Sequence, residues 1–304
     1  MDDVSVLLQA LPYLKRYREK VFVVKVGGEI AKTPEALELF AQDIAMIAQL
    51  GIRPVVVHGG GPQLDEVSSK MGVKSEKVAG RRITDDATLE MAKMVFAGSI
   101  NTDILAAVRR AGVLPVGLSG LDGEVLSATK RPPKEMLDPE TGQQTMVDFK
   151  NVGDIRDCNP ALIRTLVENR YVPVLSPLAC DDEGHVLNIN ADTVACTLAA
   201  EMQAEKLIVL SNTNGVLRDV KDPESRYVYL TVPQAEDLMK SGTITKGMIP
   251  KLQGVIAAVR GGVKRAHLIN GLVPHSLLTE VFTLKGKGTM IIDAAAEKEY
   301  LERG

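Results

Sequence analysis

From residue 21 onward, short runs rich in β-branched residues alternate with longer stretches of helical periodicity. Parallel strands need a long connection between them, usually a helix, so this alternation favours a mainly parallel sheet with helices on both faces. We therefore expect an α/β fold, built as a three-layer αβα sandwich. The predicted strands are 21–26, 54–58, 114–118, 172–175, 206–210 and 266–269, and the predicted helices are 34–50, 62–71, 85–110, 159–169, 192–203, 232–240 and 249–260.

Two regions interrupt this alternation. Residues 121–152 predict hairpins and loops, and residues 176–188 predict a β-hairpin that turns at Glu183 and Gly184. We place the boundary between two lobes near residue 177. The predicted organisation is an extra N-terminal helix over 1–20, an N-lobe over 21–177 and a C-lobe over 178–304.

The N-terminal segment predicts an amphipathic helix. Its apolar residues recur at helical spacing, and basic residues follow near its end, where positive charge suits the helix dipole. Such a helix must bury its apolar stripe, either on its own domain or in a contact between copies of the chain. The stripe consists of Val4, Leu7, Leu8, Leu11 and Leu14.

Charge and composition argue against several classes of protein. The formal net charge is -3, and aromatic residues make up 4% of the chain, without tryptophan, which disfavours a nucleic-acid-binding surface. The three cysteines have no Cys-x-x-Cys spacing, which disfavours a disulfide framework or a zinc site. The first residues do not follow the pattern of a secretory signal, and no apolar run approaches membrane-spanning length. We expect a cytoplasmic protein without a metal centre, a nucleic-acid partner or a membrane partner.

Lys25 stands inside an otherwise apolar predicted strand, VFVVKV. The strand ends at Val26, and Gly27 and Gly28 follow it. Because side chains alternate along a strand, Lys25 shares one face with Val23, and its ammonium group must reach solvent or meet an anion. A lysine that lays its stem along the sheet and keeps its charge in water is the simpler alternative.

A second predicted strand, PVVVH, runs into Gly59, Gly60 and Gly61 and then into a helix. Glycines let the backbone approach a ligand closely, and a helix start offers unpaired N–H groups to anionic oxygens. Ligands of open α/β sheets gather beyond the carboxyl ends of the strands, so we expect Lys25 and this turn to converge on one crevice. A tight turn without a ligand is the alternative.

Two further polar residues stand at the beginnings of helices. Asp192, in NINADTVA, is either a helix cap or a partner for a cation. Lys251, in TKGMIPKL, stands where the helix dipole favours acidic residues, which is easier to explain if it reaches for an anion. Neither G-x-x-x-x-G-K-[ST] nor G-x-G-x-x-G occurs, which disfavours a P-loop enzyme and a dinucleotide-binding enzyme.

Six segments, in this order and at these spacings, resemble the amino-acid kinase family: VKVGGE, VVVHGGGPQ, GRRIT, GLSGLDG, NINADTVA and TKGMIPKL. The resemblance spans about residues 21–293 and is strongest for the branch that phosphorylates the side-chain carboxylate of N-acetyl-L-glutamate with ATP in arginine biosynthesis. It implies an N-lobe that binds the acetylamino acid and forms dimers, and a C-lobe that binds ATP and arginine.

The resemblance implies that Lys25 and Lys251 contact the ATP phosphates and stabilise the transferring phosphoryl group, with Asp192 holding both lysines in place. The chemistry agrees with these residue types. A side-chain carboxylate, with an ordinary pKa of ~4.3, is already a nucleophile at pH 7 and needs no general base. The reaction does need cancellation of the repulsion between that carboxylate and ATP, which lysines, backbone donors and Mg²⁺ provide.

The resemblance also implies contacts with the two substrates. Arg82 would grip the α-carboxylate of the acetylamino acid, with Asn188 assisting and Asn190 close by. The other implied contacts are backbone donors at Gly27, Gly28, Gly59, Gly60 and Gly61, the last two beside the acceptor carboxylate, and a nucleotide-base region at Ser211, Asn212, Thr213 and Asn214.

The arginine-inhibited branch of the family has an N-terminal helix that interlaces dimers into a hexamer, together with a C-terminal stretch similar to EVFTLKGKGT of this chain. The resemblance therefore implies a homo-hexamer and inhibition by L-arginine, with Glu280 and backbone oxygens near Gly286 as partners of the guanidinium group. Lys285 and Lys287 add positive charge that the related pattern lacks, which predicts weaker arginine binding. Some relatives also respond to a PII-type signalling protein.

Three alternatives remain at this stage. An N-acetyl-2-aminoadipate kinase would take a substrate one methylene longer, a difference worth only ~1 to 3 kcal/mol in a pocket. A non-catalytic arginine sensor on the same fold has no need for Lys25, Asp192 and Lys251 together. An NAD-dependent dehydrogenase would share only the fold class.

Overall fold

The computed structural model describes residues 11–78, 80–137, 144–219, 221–222, 224–244, 247–283 and 286–301. Residues 11–17 are helical, in agreement with the last part of the predicted N-terminal helix, whereas Val4, Leu7 and Leu8 lie outside the described residues. Tyr17 is buried and lies edge-on to Phe22, with 5.2 Å between the ring centroids. This end of the helix therefore packs on its own domain.

An eight-stranded sheet forms the centre of the molecule. Its strands, in the order in which they lie side by side, are β14 (Tyr229–Thr231), β16 (Thr289–Ile292), β15 (Arg265–Asn270), β13 (Lys206–Ser211), β1 (Val21–Val26), β2 (Arg53–His58), β10 (Tyr171–Ser176) and β5 (Leu114–Ser119). Neighbouring strands are parallel except for the antiparallel pair β15–β16. The prediction of a mainly parallel sheet is confirmed.

Three smaller sheets lie outside the central sheet, and their strand pairs in the described residues are antiparallel apart from one parallel pairing at Ser127 and Cys180. They involve β3 (Lys77–Val78) with β4 (Arg81–Arg82), β7 (Lys134–Leu137) with β8 (Gln144–Val147), and a four-stranded group of β6 (Leu126–Lys130), β9 (Gly153–Cys158), β11 (Leu178–Cys180) and β12 (Val186–Asn188). β11 and β12 form the predicted hairpin, in which Gly184 has a φ of 83°, a conformation that favours glycine. The lobe boundary near residue 177 stays a prediction.

Helices cover both faces of the central sheet. They are α1 (Gly28–Lys32), α2 (Pro34–Gln49), α3 (Gly61–Lys70), α4 (Asp86–Ala92), α5 (Asn101–Arg110), α6 (Ala161–Glu168), α7 (Ala191–Glu201), α8 (Val232–Lys240), α9 (Ile249–Arg260), α10 (Ser276–Phe282) and α11 (Glu297–Leu301). Val23 of β1 belongs to a core shared with α7 and α9, whereas Phe22 and Val24 belong to a core shared with α2 and α5. By strand alternation, Lys25 is on the side of the sheet that faces α7 and α9.

A π-helical segment, Lys93–Ile100, joins α4 to α5 without a break, so the predicted helix over 85–110 is continuous but not regular throughout. The whole helix, Asp86–Arg110, is long and apolar enough to cross a membrane, contrary to the expectation that no segment approaches that length. Half of its most apolar window is buried inside the protein, as in many core helices, so this finding is weak evidence for a membrane span.

Candidate active site

Lys25 and Asp192 meet near the carboxyl end of β1. Asp192 lies in the first turn of α7, on the side of the sheet to which Lys25 points. The Nζ atom of Lys25 lies 2.8 Å from Oδ1 of Asp192, and the two side chains are 10% and 22% exposed. A buried ammonium group needs a partner, and this ion pair accounts for a lysine inside the strand. The alternative of a lysine with its charge in water is wrong.

The start of α7 explains why Asp192 is available for this contact. Asn190 occupies the N-cap, and its Oδ1 accepts a hydrogen bond from the N–H of Thr193 at 3.1 Å. The alternative in which Asp192 is the cap is therefore wrong. Asn190 is exposed, but its side-chain oxygen serves the helix, which leaves its amide nitrogen for any ligand.

Close packing of α9 on α7 brings Lys251 toward the same pair. At the contact, a Cβ atom added to Gly254 of α9 would lie 3.1 Å from Sγ of Cys196 in α7. Burial lowers the pKa of Lys251, the charge of Asp192 raises it, and the charge of Lys25 lowers it again, for a net lowering. The three charges therefore interact. Within the described part of the chain, however, Asp192 forms an ion pair with Lys25 and none with Lys251.

The two glycine turns lie against each other beside this cluster. Gly27 is the N-cap of α1, and Gly60 is the N-cap of α3. A Cβ atom on Gly28 would lie 3.2 Å from Cα of Gly60, and Nε2 of Gln63 donates a hydrogen bond to the carbonyl oxygen of Gly28 at 2.7 Å. The structure thus joins the two turns directly, and no sequence pattern indicated the link through Gln63.

Only part of the second turn is open to a ligand. The N–H of Gly59 donates to the carbonyl oxygen of Val26 at 2.9 Å, so this donor, expected for the nucleotide, is used inside the protein. A Cβ atom on Gly60 would lie 2.3 Å from Cδ1 of Ile100, whereas one on Gly61 would have no atom within 4 Å. Since the first N–H groups of a helix lack partners within it, the open side at Gly61 is where an anion can approach α3.

His58 supports the turn from beneath and is not a catalytic acid. It is fully buried, its Nδ1 donates to the carbonyl oxygen of Gly59 at 3.0 Å, and its Nε2 lies 3.3 Å from Nδ2 of Asn101. Asn101 also donates to the carbonyl oxygen of Val174 at 3.0 Å. Burial lowers the pKa of His58 to about 4, despite the hydrogen bond to Gly59. His58 is therefore neutral, with a hydrogen-bond partner at each ring nitrogen. It positions the turn and adds no charge to the site.

Arg82 of β4 reaches the same turn from its other side. Its Nη2 donates to the carbonyl oxygen of Gly61 at 3.2 Å, and its Nη1 donates to Oδ1 of Asp65 at 2.6 Å and to Oγ of Ser75. Asp65, on α3, also pairs with Lys77 at 2.7 Å. No sequence signal separated Asp65 from an ordinary surface acid, because its partners come from a hairpin that pairs only in the folded chain.

Asn188 lies beside the segment that carries Arg82. At the end of β12, its Nδ2 donates to Oγ1 of Thr84 at 3.1 Å, two residues beyond Arg82. The hairpin of β11 and β12 is thereby fixed to the predicted substrate end of the site.

The four residues predicted for the nucleotide base begin at the last residue of β13, the neighbour of β1, and continue into the loop after it. Oγ of Ser211 lies 2.9 Å from Oγ1 of Thr213, and Oδ1 of Asn214 accepts from Asn270 at 2.8 Å, while Asn212 is exposed. Because β1 and β13 are parallel, these residues are at the same edge of the sheet as Lys25.

Glu280, predicted for arginine binding, belongs to a buried network. Its Oε1 accepts from Nδ1 of His267 at 2.7 Å, and its Oε2 accepts from the N–H groups of Lys287 and Gly288 at 2.6 and 2.8 Å. Burial raises the pKa of Glu280, but these bonds and the charge of His267 lower it to about 2. Gly286 has a φ of 52°, and a Cβ atom there would lie 2.5 Å from Oε2 of Glu280. Lys285 lies outside the described residues.

The sequence model of the amino acid kinase family matches residues 20–270. Curated relatives named acetylglutamate kinase are similar over nearly the whole chain. The protein of Methanothermobacter thermautotrophicus is 43% identical over 293 residues, which cover 96% of this chain and 100% of that protein. The protein of Methanococcoides burtonii is 45% identical over 287 residues, which cover 94% of each.

Solved structures agree on the fold. N-acetylglutamate synthase from Neisseria gonorrhoeae, complexed with coenzyme A and N-acetyl-glutamate, superposes with a TM-score of 0.82 at 28% identity. That comparison covers 96% of this chain but 64% of the synthase, so the chain spans less than two thirds of that protein. Carbamate kinase from Giardia, with a TM-score of 0.65 at 19% identity, shows the shared fold alone.

Proposed function

The chain belongs to the amino acid kinase family and is a kinase, and from this premise we propose that it transfers the γ-phosphoryl group of ATP to the side-chain carboxylate of N-acetyl-L-glutamate. The observation that carries the proposal is the Lys25–Asp192 ion pair beside the joined glycine turns. The charges of this pair also act on the pKa of Lys251. The names of relatives at 40 to 45% identity support the choice of acceptor.

The charges of the cluster suit a triphosphate. Two lysines and one aspartate leave an excess positive charge, and the open side at Gly61 adds backbone donors. Asp192 holds the ammonium group of Lys25 in one place, which suits a fixed contact with the phosphates. Lys251, without an ion pair among the described residues, is available for the charge that develops on the transferring group. Mg²⁺, bound to the nucleotide, would neutralise part of the phosphate charge.

The reaction requires no proton transfer. One carboxylate oxygen of the acceptor attacks the γ-phosphorus, and the bond from that phosphorus to the β–γ bridging oxygen breaks as ADP leaves with its electron pair. The acceptor is ionised at neutral pH. This agrees with a site in which His58, at the end of β2, is buried, neutral and bonded through both ring nitrogens to its neighbours.

A substrate panel tests the proposal. We would measure ADP release with ATP and Mg²⁺ for N-acetyl-L-glutamate, N-acetyl-L-2-aminoadipate and N-acetyl-L-aspartate, and trap the acyl phosphate with hydroxylamine. The highest kcat/KM is expected for N-acetyl-L-glutamate. Preference for the longer acid would assign the chain to the aminoadipate branch. ATP or arginine binding without turnover of any acceptor would make it a sensor.

Inhibition by L-arginine is part of the same proposal. Glu280 supports it, since its carboxylate is ionised at neutral pH and three of about four acceptor positions are in use, which leaves one on Oε1 for a guanidinium N–H. L-Arginine should lower the rate of the wild-type protein, and Glu280→Gln should weaken that effect more than it weakens the uninhibited rate. A flat rate up to millimolar L-arginine would exclude regulation by this ligand.

Assembly and location complete the proposal. A hexamer of three dimers rests on the family resemblance of the N-terminal segment, whose described end packs against Phe22 through Tyr17. Light scattering after gel filtration would measure the mass of the assembly, before and after removal of residues 1–10. A cytoplasmic location is proposed from the cysteine spacing and the pattern of the first residues. A PII-type partner rests on the family resemblance, and pull-down with a PII-type protein would test it.

A further inference from the structure

The guanidinium group of Arg82 is held by three neighbours within the protein. Of its five N–H donors, the two on Nη1 bond to Asp65 and Ser75, and one on Nη2 bonds to the carbonyl oxygen of Gly61. The side chain is 10% exposed, so the group has little freedom to turn. Three of the five donors of Arg82 are thus used by contacts within the protein.

Two donors of Arg82 have no partner in the part of the chain that the structure describes. They are the Nε–H and one N–H of Nη2, and the edge of a guanidinium group between Nε and Nη2 carries two N–H groups that point the same way. Such a parallel pair matches the two oxygens of a carboxylate. The neighbours of Arg82 therefore occupy Nη1 and leave donors on both Nε and Nη2, the two atoms of an edge that suits bidentate binding.

We propose that Asp65 is a positioning residue, which fixes the edge of Arg82 that faces the α-carboxylate of the acetylamino acid; this inference rests on the proposed function. Asp65 saturates Nη1 together with Ser75, and the bond to Lys77 at 2.7 Å holds its second oxygen. Burial raises the pKa of Asp65, but Arg82 and Lys77 outweigh this effect and keep the pKa below its ordinary value. The carboxylate is charged at neutral pH.

The location of Asp65 on α3 links the two ends of the substrate site. The same helix begins at Gly61, where the acceptor and phosphoryl oxygens are expected, and Asp65 follows one turn later. The distance between the phosphoryl site and the carboxylate-binding edge of Arg82 is therefore set by one rigid element. Asp65 thus contributes to substrate length selection without contacting the substrate.

Kinetics of Asp65→Asn test this role. The change keeps the size of the side chain but removes its charge, so the guanidinium group can rotate. We expect KM for N-acetyl-L-glutamate to rise roughly tenfold or more, as when a hydrogen bond to a charged group is lost, with kcat and KM for ATP nearly unchanged. The preference for the substrate over its α-carboxamide should fall by a similar factor. Glu66→Gln is the matched control, since Glu66 pairs with Lys32 and Lys70 and should change none of these values.

A chemical readout separates this inference from the proposed function. The rate at which phenylglyoxal modifies Arg82, measured by peptide mass spectrometry without any substrate, should rise severalfold in Asp65→Asn and stay unchanged in Glu66→Gln. This result is expected whatever acceptor the protein uses. If Asp65→Asn does not fold, Ser75→Ala frees one Nη1 donor and should shift both readouts in the same direction by a smaller amount.

Specific results would overturn the inference. A lower KM in Asp65→Asn would mean that Asp65 competes with the substrate for Arg82. An unchanged modification rate, or an unchanged preference over the α-carboxamide in an active variant, would mean that Asp65 does not orient the guanidinium group. Absence of activity in the wild type, with faster modification of Arg82 in the variant, would refute the proposed substrate and leave the orienting role supported.

Discussion

Replacing Lys251 by methionine should lower kcat by about 10²- to 10³-fold and leave the folded state as stable as the wild type or slightly more stable. Loss of one preorganised charge that stabilises a transition state costs about 2.7 to 4 kcal/mol, which gives the kinetic estimate. The stability estimate follows from the pKa of Lys251, which burial lowers by more than Asp192 raises it. The ammonium group is thus less stable in the folded protein than in water, and removing it relieves that cost while methionine keeps most of the apolar stem.

Steady-state rates at saturating N-acetyl-L-glutamate and ATP with Mg²⁺ would give kcat, and thermal melts with and without the nucleotide would give stability. Lys264→Met is the control, because Lys264 is exposed in the turn after α9 and should behave as the wild type in both assays. A kcat for Lys251→Met within threefold of the wild type would refute the assigned role. A loss of activity that is matched by a lower melting temperature would show that Lys251 acts through the fold and not through the phosphoryl group.

Other perturbations address stability and the turn. Acid should destabilise the protein in two ranges of pH. Burial lowers the pKa of His267 to about 4, so the unfolded chain takes up this proton first and stability falls between pH 6.5 and 4. The pKa of Glu280 is lowered to about 2, so its contribution to stability is lost between pH 4.5 and 2. Thermal melts across pH would show both, and Glu280→Gln should remove the second and extend the first to lower pH, because the charge of Glu280 raises the pKa of His267. Gly60→Ala should lower the free energy of unfolding by about 1 to 3 kcal/mol through overpacking. Gly61→Ala should melt as the wild type but raise KM for N-acetyl-L-glutamate, because its methyl group enters the open side of the turn. Equal melting temperatures of the two variants would contradict this contrast. Asn190→Ala should lower the free energy of unfolding by about 1 kcal/mol in denaturant titrations, because the helix cap is lost, and should leave kcat unchanged. Asn190→Asp should recover this stability. A large change in KM would instead assign the side chain to substrate binding.

The fold and the outline of the site could be predicted from the sequence because both depend on local patterns. Alternating strands and helices predicted the parallel sheet. A lysine in an apolar strand predicted either a path to solvent or an anion, and the structure supplies the anion as Asp192. The cap at Asn190 could not be separated from one at Asp192, because both residue types cap helices and the choice depends on where α7 lies against β1.

Contacts between segments that are distant in the sequence could not be predicted from local patterns. Asp65 looked like any surface acid until the β3–β4 hairpin placed Arg82 and Lys77 against it. Gln63 and Asn101 are likewise ordinary helical residues in the sequence, and only packing makes them ties to the glycine turns. The long helix was predicted, but its π-helical segment was not, since no single residue specifies a change in helical pitch.

That segment makes the length of the chain between α4 and α5 unusually sensitive to insertion and deletion. Asn101 immediately follows it and bonds both His58 and Val174. Deleting one residue from Lys93–Ile100 would turn everything after it by about 100° about the helix axis, the angle between successive residues. Asn101 would then face away from His58, so related chains that keep this bond must keep the residue count of the segment even where its composition drifts.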